Sequence, residues 1–338
     1  MRVPTRSGAA LVTGWLLALV LASAVAAAEP TIESVNALLG QVAEQADAGD
    51  FDAAEILAAK AVADAEQVDD PQTLGAALQA HASAHTRRNR YAEAEAALMR
   101  ALEVLKPLGA TVDLVDTQEE LAKIYRLQAD YVTSLEWLQR ALRSLDHLDD
   151  KLRTIDLYQA FGSLYDLMGD LEKSLDWSQK ALALARAEND TRGIANALYA
   201  VAESHKVLGE YEMALANFRD ALALDQRTGV VRNIAYSHVK VGFTLLLLER
   251  YEESRPHLEQ AHTLFTQLGT ERDRHWAVID IARLDIAEGH FAAARDPLES
   301  ALVRALEAPW PRLIVLARIS LAELAEGEAR YDVAVEHL

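Results

Sequence analysis

Gly49-Asp50-Phe51, Asn89-Arg90-Tyr91, Ala129-Asp130-Tyr131, Gly169-Asp170-Leu171, Gly209-Glu210-Tyr211, Glu249-Arg250-Tyr251, Gly289-His290-Phe291 and Ala329-Arg330-Tyr331 recur every 40 residues, and no insertion or deletion interrupts them. A fixed period of this length is the signature of a repeat architecture. Working outward, a small residue stands three places beyond each turn aromatic or leucine: Ala54, Ala94, Ser134, Ser174, Ala214, Ser254, Ala294 and Ala334. Ten places beyond it stand Ala61, Ala101, Ala141, Ala181, Ala221, Ala261 and Ala301. An unbroken alanine column marks a place where two helix axes approach too closely for a larger side chain.

Each unit carries two apolar stretches of helical period, such as Ile194 to Leu208 and Tyr211 to Leu224, joined by the tripeptide turn. Gly at the end of the first helix supplies a left-handed C-cap where it occurs. Turn formers at 67–71, 106–109, 147–151, 188–190, 227–229, 268–270 and 308–311 separate successive units. One helical hairpin cannot bury its own apolar face, so the units are expected to stack.

The pattern resembles the tetratricopeptide repeat (TPR) family in a 40-residue variant. The small-residue columns and turn aromatics match that family, as do Leu98, Leu138, Phe218, Leu258 and Leu298 at its large apolar position. Tyr125 and Tyr165 match its first-helix aromatic, and Gly162 and Gly242 its first-helix small residue. The first unit departs, with Gln45 and Ala58 at two of these positions, as repeat ends commonly do. The resemblance implies an all-α, TPR-type α-solenoid, a right-handed superhelix of helical hairpins. The units expected are 35–74, 75–114, 115–154, 155–194, 195–234, 235–274, 275–314 and a partial 315–338, after a lead-in at 29–34. The eighth unit stops within its second helix, so a continuation beyond Leu338 is expected.

Residues 1–28 are different in kind. Arg2 and Arg6 precede an apolar run from Ala9 to Val25, and Ala26-Ala27-Ala28 offers a small-residue cleavage site before Glu29. This reads as a signal peptide of Gram-negative type and an exported, periplasmic protein, with an uncleaved N-terminal anchor as the rival. Against 52 Asp+Glu the chain has 33 Lys+Arg, a net charge of −19, which excludes the basic face needed for nucleic acid. It has no Cys, which excludes disulfides, thiolate nucleophiles and Cys-ligated zinc.

The resemblance implies that the first helices line the concave face used for ligands. Candidate partner-binding residues are Lys123, Arg126, Asn196, Tyr199, Glu203, Lys206, Tyr236, Phe243, Trp276 and Ile279. In units six to eight Val239, Leu246, Leu316 and Ile319 complete an apolar strip that would receive a helix or extended segment, or close on itself. Thr86, Arg126, Asp166, Lys206 and Leu246 share one column, and Arg126, Asp166 and Lys206 are expected to bridge adjacent repeats.

No phosphate loop, dinucleotide fingerprint or nucleophile elbow occurs. His81 and His85 share a helical face but lack the Glu of the zincin motif. Asp69-Asp70 and Asp149-Asp150 are expected to cap helices, and Trp137 and Trp177 to pack second helices. No cofactor, metal or catalytic residue is therefore expected. The function expected is an exported protein- or peptide-binding scaffold, the periplasmic interaction or sensory region of a longer protein. A stand-alone envelope-assembly scaffold is the alternative, and a region of a diguanylate cyclase or histidine kinase lacking its catalytic domain a distant one. Membrane contact would come only through an uncleaved N-terminal segment or a further C-terminal span.

Overall fold

The structure is a computed structural model that describes residues 29–308 and 310–337. The expected signal peptide lies outside the described residues. Sixteen α-helices form among them, with no strand: α1 (Ile32–Ala48), α2 (Phe51–Ala65), α3 (Pro71–Arg87), α4 (Tyr91–Leu105), α5 (Val112–Leu127), α6 (Tyr131–Leu145), α7 (Lys151–Leu167), α8 (Leu171–Ala187), α9 (Thr191–Val207), α10 (Tyr211–Thr228), α11 (Val231–Leu247), α12 (Tyr251–Leu268), α13 (Glu271–Ala287), α14 (Phe291–Glu307), α15 (Pro311–Gly327) and α16 (Tyr331–His337). The first helices start near 71, 111, 151, 191, 231, 271 and 311. Unit starts drawn at 75, 115 and onward therefore fall one turn inside them, and α1 begins within the lead-in. Among the described residues, no helix is long and apolar enough to cross a membrane.

Every hairpin turn is built the same way. The first tripeptide residue is left-handed in all eight units, with φ between 58 and 81°, including the non-glycine residues Asn89, Ala129, Glu249 and Ala329. The sequence pointed to this conformation only where Gly occurs. A left-handed L-residue costs about 1–2 kcal/mol, yet the turn gains two sets of bonds in return. The next N–H donates back to a carbonyl near the end of the first helix, as from Asp130 to Tyr125 at 2.9 Å and Arg250 to Leu245 at 2.9 Å. In three turns that residue is also an N-cap: Asp50, Asp130 and Asp170 accept from the amides of Ala53, Thr133 and Lys173 at 3.0, 3.1 and 3.2 Å. Between units, Asp70 and Asp150 cap α3 and α7 through Thr73 N (2.9 Å) and Arg153 N (3.0 Å), as expected.

The chain divides into two compact units, residues up to Ile124 and residues from Tyr125 onward. In the first, α1 packs on α2, α2 on α3, α3 on α4, and α1 also touches α3. Gln79 Nε2 donates to Asp113 O (2.8 Å) and to Thr117 Oγ1 (2.7 Å), joining α3 to α5. In the second, α6 to α16 pack in sequence order, and α7 touches α9, α11 touches α13, and α13 touches α15. First helices thus line up beside first helices, the arrangement of a helical solenoid within each unit.

Both alanine columns are buried throughout, as are Ser134, Ser174 and Ser254. At Gly242 the reason for a small residue is explicit: a Cβ there would lie 2.7 Å from Leu258 Cδ2. Trp177 stacks on Phe161 with ring centroids 4.4 Å apart, and Trp137 is buried, so both serve second-helix packing. In one shared column the joints between repeats also carry ion pairs, whose sign reverses between the first joint and the last two. Glu55 takes Arg88 and Arg90, Arg255 takes Asp285 and Glu288, and Arg295 takes Glu328.

Candidate functional site

Within residues 125–338, the first helices α11, α13 and α15 bound an open cavity of about 570 Å³. Tyr236 and Val239 come from α11, Arg272, Asp273 and Trp276 from α13, and Trp310, Arg312 and Leu313 from the start of α15. Phe265 of the second helix α12 closes its floor, with Tyr236 set edge-on to it at 5.2 Å. Trp276 is 38% exposed, an unusual state for an indole with no structural need to face solvent. A smaller hollow of about 130 Å³ continues along the same helices between Phe243, Trp276, Asp280, Arg283 and Leu316.

Charge is concentrated between the two hollows. Glu203 of α9 pairs with Lys206 on its own helix and with Lys240 of α11, at 2.6 Å. Burial alone would raise the Glu203 carboxyl, but the two ammonium groups outweigh it and hold the group below the usual carboxylate range. Arg283 and Lys206 lie over the Phe243 ring at 5.0 and 5.9 Å, and Arg283 reaches Glu323 at 3.3 Å. Asp280, 2% exposed, sits beneath this group. Burial pushes its carboxyl up to about 7, against the opposing pull of Arg283, Lys240, Lys206 and the Trp276 indole N–H.

The residues expected to meet a partner separate into three kinds. Tyr236, Phe243 and Trp276 line the two hollows, with Lys206 at the smaller one, and Glu203 holds Lys206 in place. Ile279 is wholly buried in a core cluster with Leu298, Leu313 and Leu321, so it is a packing residue. Tyr199 is committed to the interior: its hydroxyl donates to Asp225 Oδ2 at 2.5 Å and meets Ser237, whose Oγ donates to the same carboxylate at 2.6 Å. Burial raises the Tyr199 phenol, keeping it a donor. Asn196 and Lys123 are exposed, the latter paired with Glu120, and Arg126 is half-buried; none of the three is among the residues lining either hollow.

The expected bridging of Arg126, Asp166 and Lys206 does not form. Lys206 turns to Glu203 within its helix, and the bridge to the next repeat runs from Glu203 to Lys240 instead. His81 and His85 lie with ring centroids 4.3 Å apart, and burial lowers the pKa of both. Among the described residues, Asp285, Glu288 and His290 are close enough together to share a cation. Arg255 already pairs with both of those carboxylates. Lys240, Asp280 and Arg283 were not singled out from the sequence, although each lies one or four residues along the helix from one that was.

The fold and this cavity define a helical repeat scaffold with a ligand-sized hollow on its first helices. Residues 113–187 match the family model of the tetratricopeptide repeat. The same hairpin is repeated on either side of that stretch. No curated protein matches it. Among solved structures, a Rap protein complexed with competence and sporulation factor is similar at TM-score 0.63 and 16% identity, covering 90% of this chain and 86% of that one. The apo form of the quorum sensor NprR from B. thuringiensis is similar at TM-score 0.70 and 14% identity, covering 97% and 91%. A signal transduction ATPase with a tetratricopeptide repeat sensor from Pyrococcus horikoshii is similar at 0.66 and 17%, covering 84% of this chain and 43% of that one. At these identities the likeness is one of fold.

Proposed function

We propose that the protein is an exported peptide-binding scaffold whose site is the cavity between α11, α13 and α15. The observation that carries this reading is the half-open aromatic hollow bounded by Tyr236, Trp276 and Trp310, large enough for a bulky side chain and flanked by groups that can fix a main chain. Buried aromatic anchors of this kind supply most of the affinity at peptide interfaces. The similar repeat structures of a quorum sensor, of a repeat sensor and of a protein complexed with a factor support a role in sensing.

Selection of displayed random peptides on the full chain is expected to enrich a family of sequences with a shared bulky apolar residue. Trp276→Ser and Phe243→Ser together are expected to weaken their binding by about 2 kcal/mol or more, roughly thirtyfold, at unchanged helicity by circular dichroism. Failure to enrich any family, or unchanged capture by the double variant, would remove the reading.

The address is part of the same proposal. The basic start, apolar run and Ala26-Ala27-Ala28 support export with cleavage, and a periplasmic interaction or sensory role as the interaction region of a signalling protein. Expression in a Gram-negative host is expected to give periplasmic protein beginning at Glu29. N-terminal sequencing that finds Met1 intact in the membrane fraction would favour the anchor instead.

A further inference from the structure

We infer that the ligand of this site is an extended acidic peptide, read by a row of arginines along one edge of the cavity. This rests on the peptide-binding reading above and deepens it. Arg192, Arg232, Arg272 and Arg312 occupy the second place of α9, α11, α13 and α15, spaced by 40 residues. All four are exposed. Arg272 and Arg312 line the cavity, and Arg232 stands one helical turn before Tyr236, on the same face.

Arg192 is held by Asp156 at 3.0 Å. Among the described residues, Arg232 and Arg312 have no ion pair, whereas Arg272 donates to its neighbour Asp273 at 3.4 Å and also meets the Tyr236 hydroxyl. In a chain of net charge −19, carboxylates are plentiful, and most other arginines of residues 125–338 find one. Two guanidinium groups without a carboxylate, Arg232 and Arg312, on either side of Arg272 at the rim of an aromatic hollow, therefore form a local cationic edge on an acidic protein. The guanidinium fork is matched to a carboxylate in two parallel bonds.

The spacing selects the form of the ligand. Helices in contact lie about 8–10 Å apart, and α11, α13 and α15 touch in that order. A polyproline II segment advances about 3.1 Å per residue with three residues per turn, so every third side chain falls on one face about 9 Å from the last. Acidic residues at every third position would each meet one arginine of the row. An apolar residue between them would turn into the hollow among Tyr236, Trp276 and Trp310. A helix crossing the same face would advance only about 4.5 Å over three residues and lose the match.

The test compares two labelled peptides by fluorescence anisotropy on the full chain at low salt. One has Glu at three positions spaced by three with a single Phe between them, and the other has Gln in place of each Glu. The acidic peptide is expected to bind about tenfold or more tighter, with the margin shrinking as salt rises. Arg232→Gln, Arg272→Gln and Arg312→Gln combined are expected to abolish the margin between the two peptides. Equal binding of the two peptides, a margin that survives in the triple variant, or an equally charged single-stranded oligonucleotide binding as tightly as the acidic peptide would each overturn the inference. If the two peptides bind equally and Trp276→Ser weakens both, the arginine row falls and the cavity reading stands. If neither binds, the row also falls, and the cavity is judged by its own peptide selection.

Discussion

Phe218→Ala is expected to lower the stability of residues 125–338 by about 3–5 kcal/mol, read from urea unfolding followed by circular dichroism. Phe218 is 0% exposed and sits at the centre of a cluster of Ala202, Ala214, Leu215, Leu222, Val241 and Leu245. These come from α9, α10 and α11, so one ring fills the joint between two successive hairpins. Its truncation leaves a hole that the neighbouring alanines are too short to fill. A repeat held only by its neighbours responds locally, so the transition is also expected to broaden or split as the two sides of that joint uncouple. Phe218→Leu keeps most of the volume and is expected to cost under about 1.5 kcal/mol. A loss of less than about 1 kcal/mol for the alanine variant would mean that the joint is held elsewhere.

Asp280→Asn is expected to stabilise the protein at pH 8 and to do progressively less as the pH falls. The ordinary carboxyl value is 3.8, and burial raises it to about 7 in the folded chain. Between those values the folded state holds a proton that the unfolded state has released, so stability rises as the pH is lowered from above 7 toward 4. Above pH 7 the fold carries a buried carboxylate, at a cost on the order of 4 kcal/mol by linkage. Asparagine keeps the shape and can still accept from the Trp276 indole, but carries no charge. The gap between the two chains is therefore expected to be largest at pH 8 and nearly closed only near pH 4, measured by urea unfolding at each pH. Burial lowers the pKa of His81, His85, His238, His257 and His275 as well, but those groups titrate in both chains and cancel in the difference. A gap that does not change with pH would show that Asp280 is ionised throughout.

The hairpins, their turns and their buried small-residue columns could be read from the sequence because each is fixed by local chemistry repeated eight times. A turn residue, a cap and an alanine need no distant partner to be recognised. The site was legible only in part. Helical spacing placed Tyr236, Phe243 and Trp276 on the right face, and their apolar character pointed to a hollow. It also placed Tyr199 and Ile279 there, where the structure turns both toward the adjacent repeat. That column meets the next first helix at an angle no periodicity specifies, and Tyr199 was claimed by Asp225 from a different helix. The preference of Lys206 for Glu203 over Asp166 likewise depends on side-chain reach across a seam. The arginine row was present in plain view at 40-residue spacing. It escaped because units drawn from 75 onward assign those positions to the loops that end the previous unit, and only the helix starts near 191, 231, 271 and 311 bring them onto the ligand face.

The uniform alanine seams have a further effect on assembly. Any hairpin of the set could, on steric grounds, nestle against any other, because the mating surfaces are nearly interchangeable, and arrays of that kind are prone to joining in the wrong order while they fold. Glu55 with Arg88 and Arg90 at the first joint carries the opposite sign to Arg255 with Glu288 and Arg295 with Glu328 at the last two, so this one column tells the start of the array from its end. A mismatched pairing would bring like charges together or leave a carboxylate stranded, which penalises shuffled assemblies while adding little to the finished one.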